Sequence, residues 1–122
     1  MISKLNRLKE REVKKVLQKG KPFFSYGIVL NKILNKSSYD KFAIVIGSKS
    51  VSNNVTRNFF RRRFYTRIRE FIKQDISSKK SSYVFVVKKQ MKLDKNDNKS
   101  INTFDKDLNF LINKLNIGKQ KY

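Results

Sequence analysis

Between Arg57 and Arg69 six arginines alternate with four aromatic residues, and no acid occurs anywhere from 41 to 69. Arginine suits phosphate better than lysine, because its planar guanidinium donates two parallel hydrogen bonds. A run this cationic repels itself unless a polyanion lies against it. The whole chain agrees, with 30 Lys+Arg against 9 Asp+Glu, a formal charge of +21 in 122 residues. Nucleic acid is the simplest polyanion that matches a charge of that size.

Other chemistry has little to work with. The chain contains no His, so the commonest general base and the commonest metal ligand are both missing. With no Cys there is no disulfide, thiolate site or thiol nucleophile, and nothing points to an oxidising compartment. The acids are scattered: Asp94 and Asp97 fall in a Lys-rich stretch, Asp105 and Asp107 further on. A protein nuclease would need paired carboxylates on metal ions or a histidine acid and base. The amino terminus lacks a signal-like apolar run, and no segment approaches the ~20 apolar residues of a membrane span, so a cytoplasmic location is expected.

The elements that must position the arginines follow from periodicity. Leu5, Leu8, Val13, Val16 and Leu17 recur at near-helical spacing over about 6–19, with Glu10 and Lys14 an i,i+4 pair. Gly20-Lys21-Pro22 should end that helix, the glycine as a left-handed cap. From Phe23 to Ile33 the period becomes two, predicting a strand with Phe24, Tyr26, Ile28 and Leu30 on one face. After a turn at Asn35 to Ser38, the β-branched run Lys41 to Ile46 predicts another strand. Ser52 or Asn53 then caps a basic helix running to about Gln74. A linker to Ser82, a short apolar strand over Tyr83 to Val87 and a charged loop over Met91 to Asn102 follow. Thr103 is the expected cap of a last amphipathic helix carrying Phe104, Leu108, Leu111, Ile112 and Leu115, closed by Gly118.

The order α-β-β-α-β-α, with one further strand if the long Phe23 to Ile33 run or Asp40 to Gly47 breaks, defines an α+β sandwich. It is read as one domain over 1–117 with a basic tail at 118–122. Because a helix joins the strands on either side of it, those strands should be parallel.

On the basic helix, Phe60, Phe64, Ile68 and Phe71 form one stripe. Burying it would contribute on the order of 6 to 10 kcal/mol before ordering costs, so it reads as core. Asn58, Arg62, Arg69 and Lys73 collect on the opposite face, and Arg57 and Arg61 flank the stripe. Phe59 and Tyr65 lie off it; either they stack on bases or riboses, or they shield neighbouring backbone. A solvated face normally mixes both signs, which this one does not. A nuclear-import signal or a membrane-surface helix fits less well, since the apolar face is needed for the core.

These residues resemble a known pattern. Ser48-Lys49, a short loop, then Asn54-Val55-Thr56-Arg57-Asn58-Phe59-Phe60-Arg61-Arg62 resemble the signature of the bacterial ribonuclease P protein component. That signature is a Ser-Lys-Lys loop followed by a helix reading Ala-Val-x-Arg-Asn-Arg-x-Lys-Arg. Arg7-Leu8-Lys9, Val16-Leu17 and Gly20 echo the family's opening helix, Tyr83 to Lys89 its last strand and basic pair, and Thr103 to Leu115 its final helix. The chain departs at Ser50, where a second basic residue is usual, and at Ser52, where glycine is. It departs again at Phe59, in place of the triplet's second arginine, at Tyr65-Thr66, and at Val13 and Leu17, which replace aromatic residues.

The resemblance implies the small subunit of a ribonucleoprotein endonuclease that removes the 5′ leader from precursor tRNA. The RNA subunit and its Mg²⁺ would perform the chemistry, and the protein would bind no cofactor or metal of its own. It also implies a ribosomal-protein-S5-domain-2-like fold with a left-handed βαβ crossover. Carried over by position, Lys49, Arg57, Asn58, Arg61 and Arg62 would meet RNA, supported by Arg63 and Arg67. Val13, Leu17, Val29 and Asn31 would line the leader cleft, with Lys88 and Lys89 reaching leader or tRNA phosphates. The partners would be ribonuclease P RNA and precursor tRNA, without DNA or membrane. A structural protein of the ribosome has the same size and charge; the spacing around Arg57-Asn58 is what separates the two.

Overall fold

The computed structural model describes residues 4–47, 50–51, 53–74 and 80–119, with the side chains of 73, 74 and 115–119 excepted. Residues that fit a pleated, half-buried surface supply four strands: β1 Lys21–Phe24, β2 Ile28–Leu34, β3 Lys41–Ile46 and β4 Ser81–Val87. They form a sheet in the order β1-β2-β4-β3, antiparallel except for the parallel pair β3 and β4. The helices are α1 Glu10–Lys19, α2 Asn54–Gln74 and α3 Asn98–Lys119, preceded by a 3₁₀ turn at Lys4–Asn6. This is the expected α+β sandwich with the additional strand present, and α2 joins the parallel strands.

Register assigns the two faces of the sheet. Leu30, Phe85 and Ile44 align across three strands, as do Ile28, Val87 and Ile46. This face is covered by Phe60, Phe64, Ile68 and Phe71 of α2 and by Phe104, Leu108, Leu111 and Ile112 of α3, each at most 1% exposed. The rings interlock: Phe42 stacks on Tyr83 at 4.9 Å, and Phe64 meets Phe85 edge-on at 5.0 Å. The apolar stripe of the basic helix is therefore core. On the other face Val16, Val13 and Leu8 pack on Ala43 and Val84.

The long Phe23 to Ile33 run breaks at 25–27. The Ser25 hydroxyl donates to the Ile28 carbonyl (2.9 Å), and Gly27 N–H donates to buried Asp107 (2.9 Å). Folding back reverses the phase of the alternation. Phe24 pairs with Val29 and so shares its face, opposite to Ile28 and Leu30, while Tyr26 stands exposed at the tip. Gly27 is required by close approach, since a Cβ there would lie 2.5 Å from the Met91 Sδ.

Other boundaries also differ from expectation. Gly20 ends α1 with φ −77°, not in the left-handed region. A Cβ there would sit 2.5 Å from the Val16 carbonyl oxygen and 3.2 Å from that of Lys32, so the last turn of α1 excludes a side chain at this point and β2 crowds it. Helix α3 starts at Asn98, before Thr103, because Asp97 accepts the Lys99 N–H at 3.1 Å. Thr103 lies inside the helix with its hydroxyl donating to the Lys99 carbonyl. Gly118 falls within the helix, which reaches Lys119. The Met91 to Asn102 stretch has its own anchor: Met91 and Leu93 are buried, and Leu93 N–H donates to the Ser50 carbonyl at 2.9 Å.

Candidate nucleic-acid interface

Helix α2 begins where Asn53 accepts the Thr56 N–H at 2.8 Å, a side-chain cap at an otherwise orphan donor. Ser52 and Lys49, the latter predicted to meet RNA, lie outside the described residues. With its aromatic stripe fastened to the sheet, α2 presents Asn58, Arg61, Arg62 and Arg69 to solvent. Among the described residues the side chains of Arg61, Arg62 and Arg69 have no hydrogen-bond or ion-pair partner. Three such guanidinium groups on one rigid helix repel one another unless an anion shares them.

The remaining arginines of the run are held by protein groups. Arg57 donates from Nε to the Ile46 carbonyl (3.1 Å) and from Nη1 to Asn54 (2.6 Å), which fixes the start of α2 against β3. Arg63 forks onto Asp105 at 2.7 and 2.6 Å, and that bidentate bond holds its guanidinium above the usual arginine range. Arg67 donates to Asn109 at 2.7 Å and lies 3.7 Å from Glu70. Arg63 and Arg67 are thus both tied to α3, Arg67 also to Glu70 of its own helix. Sequence reasoning set aside Asp105 and did not consider Asn109. The available signal was spacing: two residues four apart on α3 face two residues four apart on α2.

Phe59 and Tyr65 are half-buried against the core, edge-on to Phe60 (5.1 Å) and Phe64 (5.0 Å) respectively. Burial pushes the Tyr65 phenol above its ordinary value, opposed by the positive charges of Arg61 and Arg7.

The predicted cleft residues share one side of the molecule. Val29 and Asn31 project from the sheet face that α1 covers only in part, beside Val86 and Val84. Val13 packs there half-buried, while Leu17 is 43% exposed, high for a leucine. Phe24, 59% exposed, extends the same apolar strip. Lys88 is directed elsewhere: its Nζ donates to the carbonyls of Ser25 (3.0 Å) and Tyr26 (3.4 Å), stapling the β1–β2 turn. Lys89 is exposed.

The acids serve the fold. Asp40 accepts the Ser81 N–H at 2.8 Å and is buried. Asp107, 8% exposed, accepts the Gly27 N–H; burial raises its carboxyl above the ordinary value, against the lowering effects of the Gly27 bond and Lys88. Among the described residues no three of these acids come together as a metal site.

Fold and surface define a small basic α+β protein built around an arginine-bearing crossover helix. The family described as Ribonuclease P matches residues 2–116, and the chain belongs to the ribonuclease P protein family. The RNase P protein of Staphylococcus aureus has the same fold, with a TM-score of 0.63 and 21% identity over 93% of this chain and 95% of that one. A mutant of that protein with defective mRNA degradation activity gives 0.65 and 22%, over 95% and 90%. The RNase P protein of Thermotoga maritima gives 0.56 and 19%, over 95% and 96%. No curated protein matches the chain. Membership gives the protein a role in ribonuclease P, and so in tRNA processing.

Proposed function

We propose that this protein is the RNA-binding subunit of ribonuclease P, raising the affinity of the catalytic RNA for precursor tRNA during removal of the 5′ leader. The observation that carries this reading is the division of α2 into a buried aromatic stripe and an outward face whose Arg61, Arg62 and Arg69 have no partner among the described residues. Fixed guanidinium groups on a rigid element meet phosphates without losing much freedom on binding. Arg57 and Asn58 extend that surface toward the start of the helix, which Lys49 precedes in the chain.

The half-covered sheet face suits a single-stranded leader. Val29, Asn31 and Val86 give it a floor, and Val13 and Leu17 a wall. Lys89 supplies a charge at the margin. Lys88 contributes mainly by holding the turn that shapes the cleft. The chain has no histidine, and the described residues hold no carboxylate cluster for bond cleavage, so the chemistry is assigned to the RNA and its Mg²⁺, in the cytoplasm. Reconstitution tests the reading: this chain, a ribonuclease P RNA and precursor tRNA at near-physiological Mg²⁺ should release the 5′ leader, where the RNA alone does so poorly. No gain from added protein would refute it, as would recovery of ribosomal RNA alone with the protein from cells.

A further inference from the structure

Between α2 and α3 runs a groove of about 530 Å³, within the ~300 to 1,000 Å³ of ordinary ligand sites. Phe59 and Leu108 give it an apolar lining, and Arg62, Arg63, Arg67, Asp105 and Asn109 a polar one. Arg63 and Arg67 are anchored from α3, Arg63 through Nε and Nη2 on Asp105 and Arg67 through Nε on Asn109. Those same bonds hold each guanidinium plane at a fixed angle, and a guanidinium held this way still offers its flat face for stacking. Arg62 lines the groove too and keeps its donors free. The groove therefore combines a ring, two fixed planar cations and one unneutralised guanidinium, and it is continuous with the arginine face of α2.

We infer that this groove takes one unpaired nucleotide of the bound RNA, its base stacked against Phe59 and the Arg63 plane and its phosphate on Arg62. The inference rests on the RNA-binding reading and deepens it. Stacking reads no base edge, and the side-chain acceptors of Asp105 and Asn109 face arginine, so the pocket tolerates any base sequence. The ion pair also gains a purpose here: it fixes the Arg63 plane while leaving its face usable. A peptide would find the groove less suited, since its backbone brings neither a phosphate for Arg62 nor a planar ring for Phe59.

The test compares a short oligoadenylate with an abasic sugar-phosphate chain of equal length, each titrated onto the full chain. The unaltered protein should bind the oligoadenylate about tenfold more tightly, the worth of one stacked base. Phe59→Leu and Arg63→Lys should each shrink that preference to about twofold, with abasic binding and salt dependence unchanged. Arg63→Lys, at an exposed position, keeps charge while removing the planar face, so it decides the matter even if Phe59→Leu loosens the fold. Equal binding of both chains, or a preference that survives both substitutions, overturns the groove and leaves the RNA-contact reading standing. Binding of neither chain removes both.

Discussion

An arginine's role in this protein is decided by what stands opposite it. Arg62 and Arg63 are neighbours on one helix, yet Arg62 is free and Arg63 is neutralised by Asp105, 42 residues further along. Replacing Arg62 with alanine should therefore flatten the salt dependence of RNA binding by about one phosphate contact, roughly 0.7 to 0.9 in log–log slope. Arg63→Ala should leave the slope as it is. Equal slopes for the two variants would show that the ion pair opens on binding. The arginine cluster was legible in the sequence because composition alone exposes it. Its partition into free and paired groups was not, since Asp105 and Asn109 reach α2 only through the packing of α3.

Glu12 makes a second prediction at the same scale. The Lys9 N–H, first, and then Lys41 hold its carboxyl below the ordinary value, although desolvation opposes them. A folded-state value below the unfolded one means that the contribution to stability is present above about 4.5 and is lost as pH falls through the folded value. Glu12→Gln should accordingly lower the melting temperature at neutral pH and make little difference in strong acid. A deficit that persisted in acid would assign the effect to packing instead.

Elements were legible where periodicity ran uninterrupted. The α2 stripe and the Phe104 to Ile112 stripe of α3 were both visible, because helical spacing of three and four residues holds along their whole length. Phe64 is fully buried against Phe85, so Phe64→Ala should cost about 3 to 5 kcal/mol in a denaturant titration. An unchanged midpoint would contradict the core. The β1–β2 hairpin was hidden, because alternation counted straight through Ser25 to Gly27 mistakes a reversal for a continuous strand. The reason for Gly20 was hidden too, since it lies in the close approach of the Val16 carbonyl at the end of α1. Gly20→Ala drives a Cβ to 2.5 Å from that oxygen and should cost about 1 to 3 kcal/mol; a neutral effect would mean that the end of α1 relaxes freely. The start of α3 was misplaced because Thr103 and Asp97 both have cap chemistry, and only the turn at 94–97 selects between them.

Across the whole molecule, a net charge of +21 leaves several arginines outside while Asp40 and Asp107 work inside. Asp40 and Asp107 bind backbone N–H groups, and Asp105 binds Arg63, so little negative charge is left to offset the α2 face. Self-repulsion of this kind predicts that sulfate or phosphate raises the melting temperature, by binding the folded state in preference to the unfolded one. A melting temperature indifferent to these anions, yet sensitive to chloride at the same ionic strength, would contradict it. The affinity of the protein for ribonuclease P RNA across a salt series, unaltered and with Arg61, Arg62 and Arg69 all replaced by alanine, bears most directly on the central claim. The triple variant should fold normally and lose about two to three contacts' worth of slope. A slope equal to that of the unaltered protein would mean that RNA does not lie along α2.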